Sequence, residues 1–77
     1  MSSQFLEALE LAKNGDWEAA HQIVQDLNDA KAAQIHGYLH RVEGDDGNAA
    51  YWYRRAGVPF PQVSVDEEWQ QIHDSLN

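Results

Sequence analysis

His36-Gly37-Tyr38-Leu39-His40-Arg41-Val42-Glu43-Gly44-Asp45-Asp46-Gly47-Asn48-Ala49-Ala50-Tyr51-Trp52-Tyr53-Arg54-Arg55-Ala56-Gly57 is the stretch that decides the fold. With Ile35 just before it, Tyr38, Leu39 and Val42 recur at the spacing of one helix face. Gly44 then supplies the left-handed conformation common just past a helix end. Asp45 can cap a following helix by accepting from its exposed backbone N–H groups. Ala49, Trp52, Tyr53 and Ala56 fall at i, i+3, i+4 and i+7, a second helical stripe. The stretch therefore reads as helix, turn, helix.

The same punctuation stands 29 positions earlier, at Gly15-Asp16. At that offset Leu6 matches Ile35, Ala8 matches Gly37, Ala20 matches Ala49, Val24 matches Tyr53 and Leu27 matches Ala56. A first helix is predicted from Ser3 to Asn14, and a second carries Trp17, Ala20, Val24 and Leu27 on one face. Asn28-Asp29 caps the third. Each unit is a helix–turn–helix that cannot bury its apolar face alone.

Toward the C-terminus, Pro59 and Pro61 break the helix, and Phe60 between them is expected to pin the loop to the core. Ser64-Val65-Asp66-Glu67 has the spacing of a capping box. The helix behind it places Val65, Trp69, Ile72 and Leu76 at i, i+4, i+7 and i+11, and is expected to close the open end of the hairpins. No segment alternates as a half-buried strand would. The reading is an all-α fold in one domain, 1–77: hairpins at about 3–28 and 29–57, a loop at 57–63 and a C-terminal helix at 64–76. A chain of 77 residues buries only about 60% of its unfolded surface. With no cysteine, neither disulfide nor thiolate metal site can add to that core.

Gly37, Gly44, Asp45, Ala49, Tyr53, Ala56 and Pro61 are spaced like the signature positions of a tetratricopeptide repeat. The string from Ala49 to Ala56 also resembles the second helix of Sel1-like repeats. In the first unit Gly15, Asp16, Trp17 and Ala20 fit, while Glu7 and Leu11 depart from the pattern. The 29-residue period is shorter than the ~34 of a tetratricopeptide array, and two units are fewer than the ~3 usual for one. The run from His36 to Gly57 is further similar to a family of small bacterial proteins that implies no reaction. What the repeat resemblance implies is a surface for a protein or peptide.

Thirteen acidic residues against five basic ones leave a net charge of −8, which argues against nucleic acid or an anionic membrane as partner. The acids are not spread evenly. Residues 1–29 hold six of them against Lys13 alone, and residues 58–77 hold four with no base. The middle carries Lys31, Arg41, Arg54 and Arg55 against three acids. Met1-Ser2-Ser3-Gln4 lacks the basic and apolar regions of a secretory signal, and no apolar run approaches a membrane span, so a cytoplasmic protein is expected. Catalysis is not expected. Ser2, Ser3, Ser64 and Ser75 lie near termini or in a cap, and no Gly-rich loop could wrap a phosphate. Asp45-Asp46 and Asp66-Glu67-Glu68 sit at helix starts, where the macrodipole accounts for them. No cofactor is implied.

The candidate site lies in the middle third. His36, His40 and Glu43 fall at i, i+4 and i+7 on one side of the third helix. Two histidines so spaced can share a metal, which makes His36 and His40 the metal candidates, although the segment lacks the His-Glu-x-x-His pattern. In the repeat register, His36, Gly37 and His40 face the fourth helix and need partners, for which Tyr51, Asn48 and Asp45 are at hand. A hydrogen-bonded structural cluster and a ligand site both remain open. Tyr51, Trp52 and Tyr53 fan around their helix, so Tyr53 and one edge of Trp52 belong to the core and Tyr51 to the surface. Tyr51, Arg54 and Arg55 are of the types that concentrate binding energy or cradle a carboxylate. Alternatively, the arginines neutralise acids of neighbouring helices. His21 and His73 read as solvated. The function expected is a protein-interaction module that binds a protein, a peptide or a second copy of itself as a homodimer. The alternative is a small-ligand or metal site on the His36, His40 and Glu43 face.

Overall fold

The computed structural model of the chain describes residues 3–76. The reading of Met1 and Ser2 as a start without a signal, and of Ser2 as no nucleophile, lies outside the described residues. Five helices follow one another with no strand among the described residues: α1 (Gln4–Lys13), α2 (Trp17–Gln25), α3 (Ala30–Val42), α4 (Asp46–Ala56) and α5 (Val65–Ser75). The fold is all-α.

Local chemistry places the helix starts and the two hairpin turns. Gly15 and Gly44 have φ of 89° and 88°, the left-handed region that glycine enters at no steric cost. Around them the two turns make the same bonds. Gly15 N–H donates to Ala12 O at 3.1 Å and Asp16 N–H to Leu11 O at 2.8 Å; Gly44 donates to Arg41 O at 3.1 Å and Asp45 to His40 O at 2.9 Å. This paired closure satisfies helix-end carbonyls that would otherwise lack donors. Asp16 and Asp45 then each accept a backbone N–H three residues on, from Ala19 and Asn48, at 3.2 Å. Ser3, Asp29 and Ser64 cap the other three helices. At Ser64 the hydroxyl accepts from Glu67 N–H and donates to the Glu67 carboxylate.

α3 is the central element and touches all four others. On it Ala32, Ile35 and Leu39 are fully covered and pack with Ala8 and Leu9 of α1, Ala20 and Val24 of α2, and Trp69 and Ile72 of α5. Burying a side chain of the size of Leu9, Ile35 or Leu39 contributes about 1.5–3 kcal/mol each. Two tryptophans tie helices across this core through their indole N–H groups: Trp17 donates to Leu39 O at 2.6 Å and Trp69 to Leu9 O at 2.8 Å. α4 lies close against α3 at Gly37, where a Cβ would meet Ala49 O at 3.2 Å and the Tyr53 ring at 3.0 Å. Phe60 packs edge-on against Tyr53, ring centroids 5.2 Å apart, and so pins the loop as expected.

Two details differ from the sequence reading. Val42 is 46% exposed, because the groove beside it, lined by Ala12, Lys13, Val65 and Trp69, is not filled by any described side chain. Leu27 lies beyond the end of α2 and only half-buries, since that helix stops at Gln25 without a glycine. α5 packs on α1 and α3 as the C-terminal helix of the two hairpins, and buried Glu68 links it to Tyr53 of α4.

Candidate functional site

Three histidines converge between α2, α3 and α4. His36 and His40 lie one turn apart on α3, 4% and 7% exposed, with rings stacked at 4.9 Å. The third is His21 of α2. Its Nε2 stands 2.8 Å from His36 Nε2, a contact in which one ring donates and the other accepts. The Asp16 cap starts α2 so that Trp17 and His21 fall one turn apart; their rings stack at 4.7 Å. On the far side Trp52 of α4 stacks on His36 at 3.8 Å. Two indoles thus stack on rings of the cluster, Trp17 on His21 and Trp52 on His36.

The polar atoms are unequally served. His40 Nδ1 is 2.6 Å from Glu43 Oε1, three residues along the chain, which leaves Nε2 as its free ring nitrogen. His36 Nδ1 is buried without a partner. Burial, reinforced by His21, His40 and Arg55, pushes the His36 pKa down to about 4. Burial also lowers that of His21, with His40 adding and Glu43 and Glu18 opposing. Both rings are therefore neutral at pH 7. One ring nitrogen from each of the three histidines lies within 4.8 Å of the others. An overlapping group, His40, Glu43 and Asp45, meets the same limit.

The cluster forms the floor of an open groove whose sides are Gln25, Asn48, Tyr51 and Trp52. Of the residues singled out from sequence, His36, His40, Glu43, Asn48, Tyr51 and Trp52 do come together here. Arg55 joins them at the rim, its guanidinium 4.9 Å from the Trp52 ring centre and its Nη1 donating to Tyr51 Oη at 3.3 Å. Arg54 is exposed and takes no part. The hydrogen-bond partners expected for the buried histidines are corrected: they are His21 and Glu43, not Tyr51, Asn48 or Asp45. His21 is not a solvated helix residue, because α2 packs over α3 and carries it into the cluster. Nor is His73, which is half-buried and stacks on Trp69 at 5.0 Å.

Arginine neutralisation falls elsewhere than expected. Among the described residues neither Arg54 nor Arg55 pairs with a carboxylate, whereas Arg41 Nη1 lies 2.9 Å from Glu68 Oε1. Glu68 is 2% exposed, and Tyr53 Oη donates to its other oxygen at 2.6 Å. Arg41 also donates to Val63 O, fixing the loop. Burial raises the Glu68 pKa against the pull of Tyr53 and Arg41, and it raises that of Tyr53 as well. The macrodipole does not account for Glu68, which is a docking residue for α5. Its position between Val65 and Trp69, inside the apolar stripe, was the available signal. Ser3 and Ser64 accept helix N–H groups, and Ser75, at the end of α5, donates to Ile72 O and accepts from Lys31 Nζ. No helix among the described residues is long and apolar enough to cross a membrane.

No protein-family model, no curated protein and no solved structure matches the chain.

Proposed function

We propose that this protein is a small helical-repeat interaction module of tetratricopeptide-like build, cytoplasmic and without catalysis of its own. Its binding edge is Tyr51, Trp52 and Arg55, with Arg54 beside it. One observation carries the reading. In a chain with 13 acidic residues, two adjacent arginines pair with no carboxylate among the described residues, and one of them, Arg55, lies over the Trp52 ring at 4.9 Å and donates to Tyr51 Oη. A guanidinium has five N–H donors, so those of Arg55 not used on Tyr51 can serve a planar carboxylate. Tyr51, 45% exposed, supplies apolar contact beside it. The partner is accordingly a protein or peptide segment with a carboxylate next to an apolar side chain.

A second copy of the chain meets that description. The groove between α1 and α2 offers Glu7 and Asp26 beside half-buried Leu11 and Ile23. In a two-fold homodimer each arginine edge would face the other copy's acidic groove. Panning a random peptide display library against the wild type, Arg55→Ala and Tyr51→Ala tests the edge. Acidic peptides are expected on the wild type and not on the variants; enrichment that ignores both substitutions defeats the reading. Sedimentation at rising concentration tests the homodimer, whose association should weaken in Arg55→Ala.

A further inference from the structure

The geometry points to a divalent transition-metal site, of the kind that takes Zn2+, built from His21, His36 and His40 with Glu43 behind His40. It goes beyond the interaction reading and does not depend on it. Imidazole nitrogen suits Zn2+ and its neighbours in the series, and three histidines with one open position form a recognised donor set. Here each ligand comes from a packed helix: His21 from α2, His36 and His40 from consecutive turns of α3. One nitrogen from each already lies within 4.8 Å of the other two. Zn–N bonds of about 2.0–2.1 Å set nitrogen–nitrogen separations of about 3.3 Å, which falls between the 2.8 Å of the His21–His36 contact and the 4.8 Å that all three nitrogens keep within.

Three further features fit a cation. Glu43 holds His40 Nδ1 at 2.6 Å, which orients the ring and directs its Nε2 lone pair away from the carboxylate. That is how a carboxylate commonly serves a metal-bound histidine from behind. The 2.8 Å contact between His21 and His36 joins two like nitrogens, only one of which can carry the proton. A cation between them would use both lone pairs in place of that single bond. Finally, the groove past Gln25, Asn48 and Tyr51 gives the metal an approach and leaves its fourth position to water or a ligand. Trp17 and Trp52, stacked on two of the rings, limit how far the donors can turn.

The test is a Zn2+ titration of the chelator-stripped full chain in competition with a chromophoric chelator. It is run on the wild type, His21→Gln, Glu43→Gln and Asp45→Asn. His21 is half-buried and Asn is itself a good helix cap, so both those variants should keep the fold, with circular dichroism as the check. The wild type should bind one Zn2+ per chain. His21→Gln should weaken it more than ~100-fold, Glu43→Gln by ~10–100-fold, and Asp45→Asn should leave it unchanged. Failure of the wild type to bind at micromolar Zn2+ overturns the site. So does unchanged affinity in His21→Gln, which would move the metal to His40, Glu43 and Asp45. Ring nitrogen NMR of the wild type gives an answer independent of any variant: Zn2+ should shift His21, His36 and His40 together and leave His73 in place. A shift confined to one ring rejects the proposal.

Discussion

Replacing Gly37 by alanine should destabilise the protein, against what helix propensity predicts. An alanine in mid-helix is worth up to about 1 kcal/mol over glycine. Here the added methyl would stand 3.0 and 3.1 Å from Tyr53 Cε1 and Cδ1 and 3.2 Å from Ala49 O. Whether the neighbours can yield decides the sign. Ala49 O is helix backbone. Tyr53 is 1% exposed, its hydroxyl is held at 2.6 Å by buried Glu68, and its ring lies against Phe60. Neither can shift without disturbing the α3–α4 contact or the link to α5. Overpacking of this kind costs about 1–3 kcal/mol, so the balance falls on the side of loss. A net loss of 1 kcal/mol lowers Tm by about 4–8 °C in a domain of this size. Gly47→Ala is the internal control. Gly47 is helical, has ordinary φ, and nothing lies within 4 Å of an added Cβ, so this change should stabilise by about 0.5–1 kcal/mol. Urea unfolding followed by circular dichroism and tryptophan fluorescence reads both. A Gly37→Ala protein as stable as Gly47→Ala would refute the argument that Tyr53 is immovable.

Acidification should unfold the metal-free protein more readily than its carboxylates alone would. The His36 pKa is about 4 in the fold against 6.5 unfolded. Above pH 6.5 the ring is neutral in both states. From there down to about 4 only the unfolded chain takes up the proton, and stability falls by on the order of 3 kcal/mol. His21 adds to this loss, while the raised Glu68 works against it. His36→Gln should therefore show a flatter stability profile between pH 7 and 4; parallel profiles would count against it. Tyr53→Phe strands one oxygen of Glu68 and should cost about 1–3 kcal/mol in urea unfolding, more than loss of an exposed hydroxyl. Gly57→Ala, at φ 78°, should cost about 1 kcal/mol by thermal unfolding.

What the sequence made readable was local. Gly15, Gly44, Asp16, Asp45 and Ser64 act through bonds to residues at most five positions away, so their types and spacing determine the helix ends. The burial of Ile35, Leu39, Ala49, Tyr53, Trp69 and Ile72 followed from period alone. The site needed more. His21 has polar neighbours in sequence, Glu18, Gln22 and Gln25, and nothing local separates it from a solvated histidine. Its role arises only when α2 packs over α3 and brings it to a residue 15 positions away. Glu68 was misjudged for a related reason. In the first turn of a helix a glutamate has an electrostatic reason to be there, and that reason hid its place on the buried stripe. Arg41 and Tyr53, which complete its environment, belong to two other helices.

Two of the differences between the hairpins bear on how α5 is attached. Position 8 is alanine in the first unit, and its counterpart 37 is glycine; position 24 is valine, and its counterpart 53 is tyrosine. All four are buried. The methyl absent at Gly37 is the room that the Tyr53 ring occupies, so the two changes fit as a pair: a smaller residue on α3 admits a larger one on α4. The gain is reach. A valine at 53 would end inside the hairpin, whereas the phenol extends to Glu68 and supplies the polar link between α4 and α5. Arg41, from the same turn of α3 as His40, completes the charge balance of that carboxylate and ties down the loop at Val63. The same α3 that presents His36 and His40 to α2 thus presents Gly37 and Arg41 to the elements that hold α5. Attachment of the last helix and placement of the histidines rest on adjacent positions of one helix, which makes Gly37 a structural requirement for both.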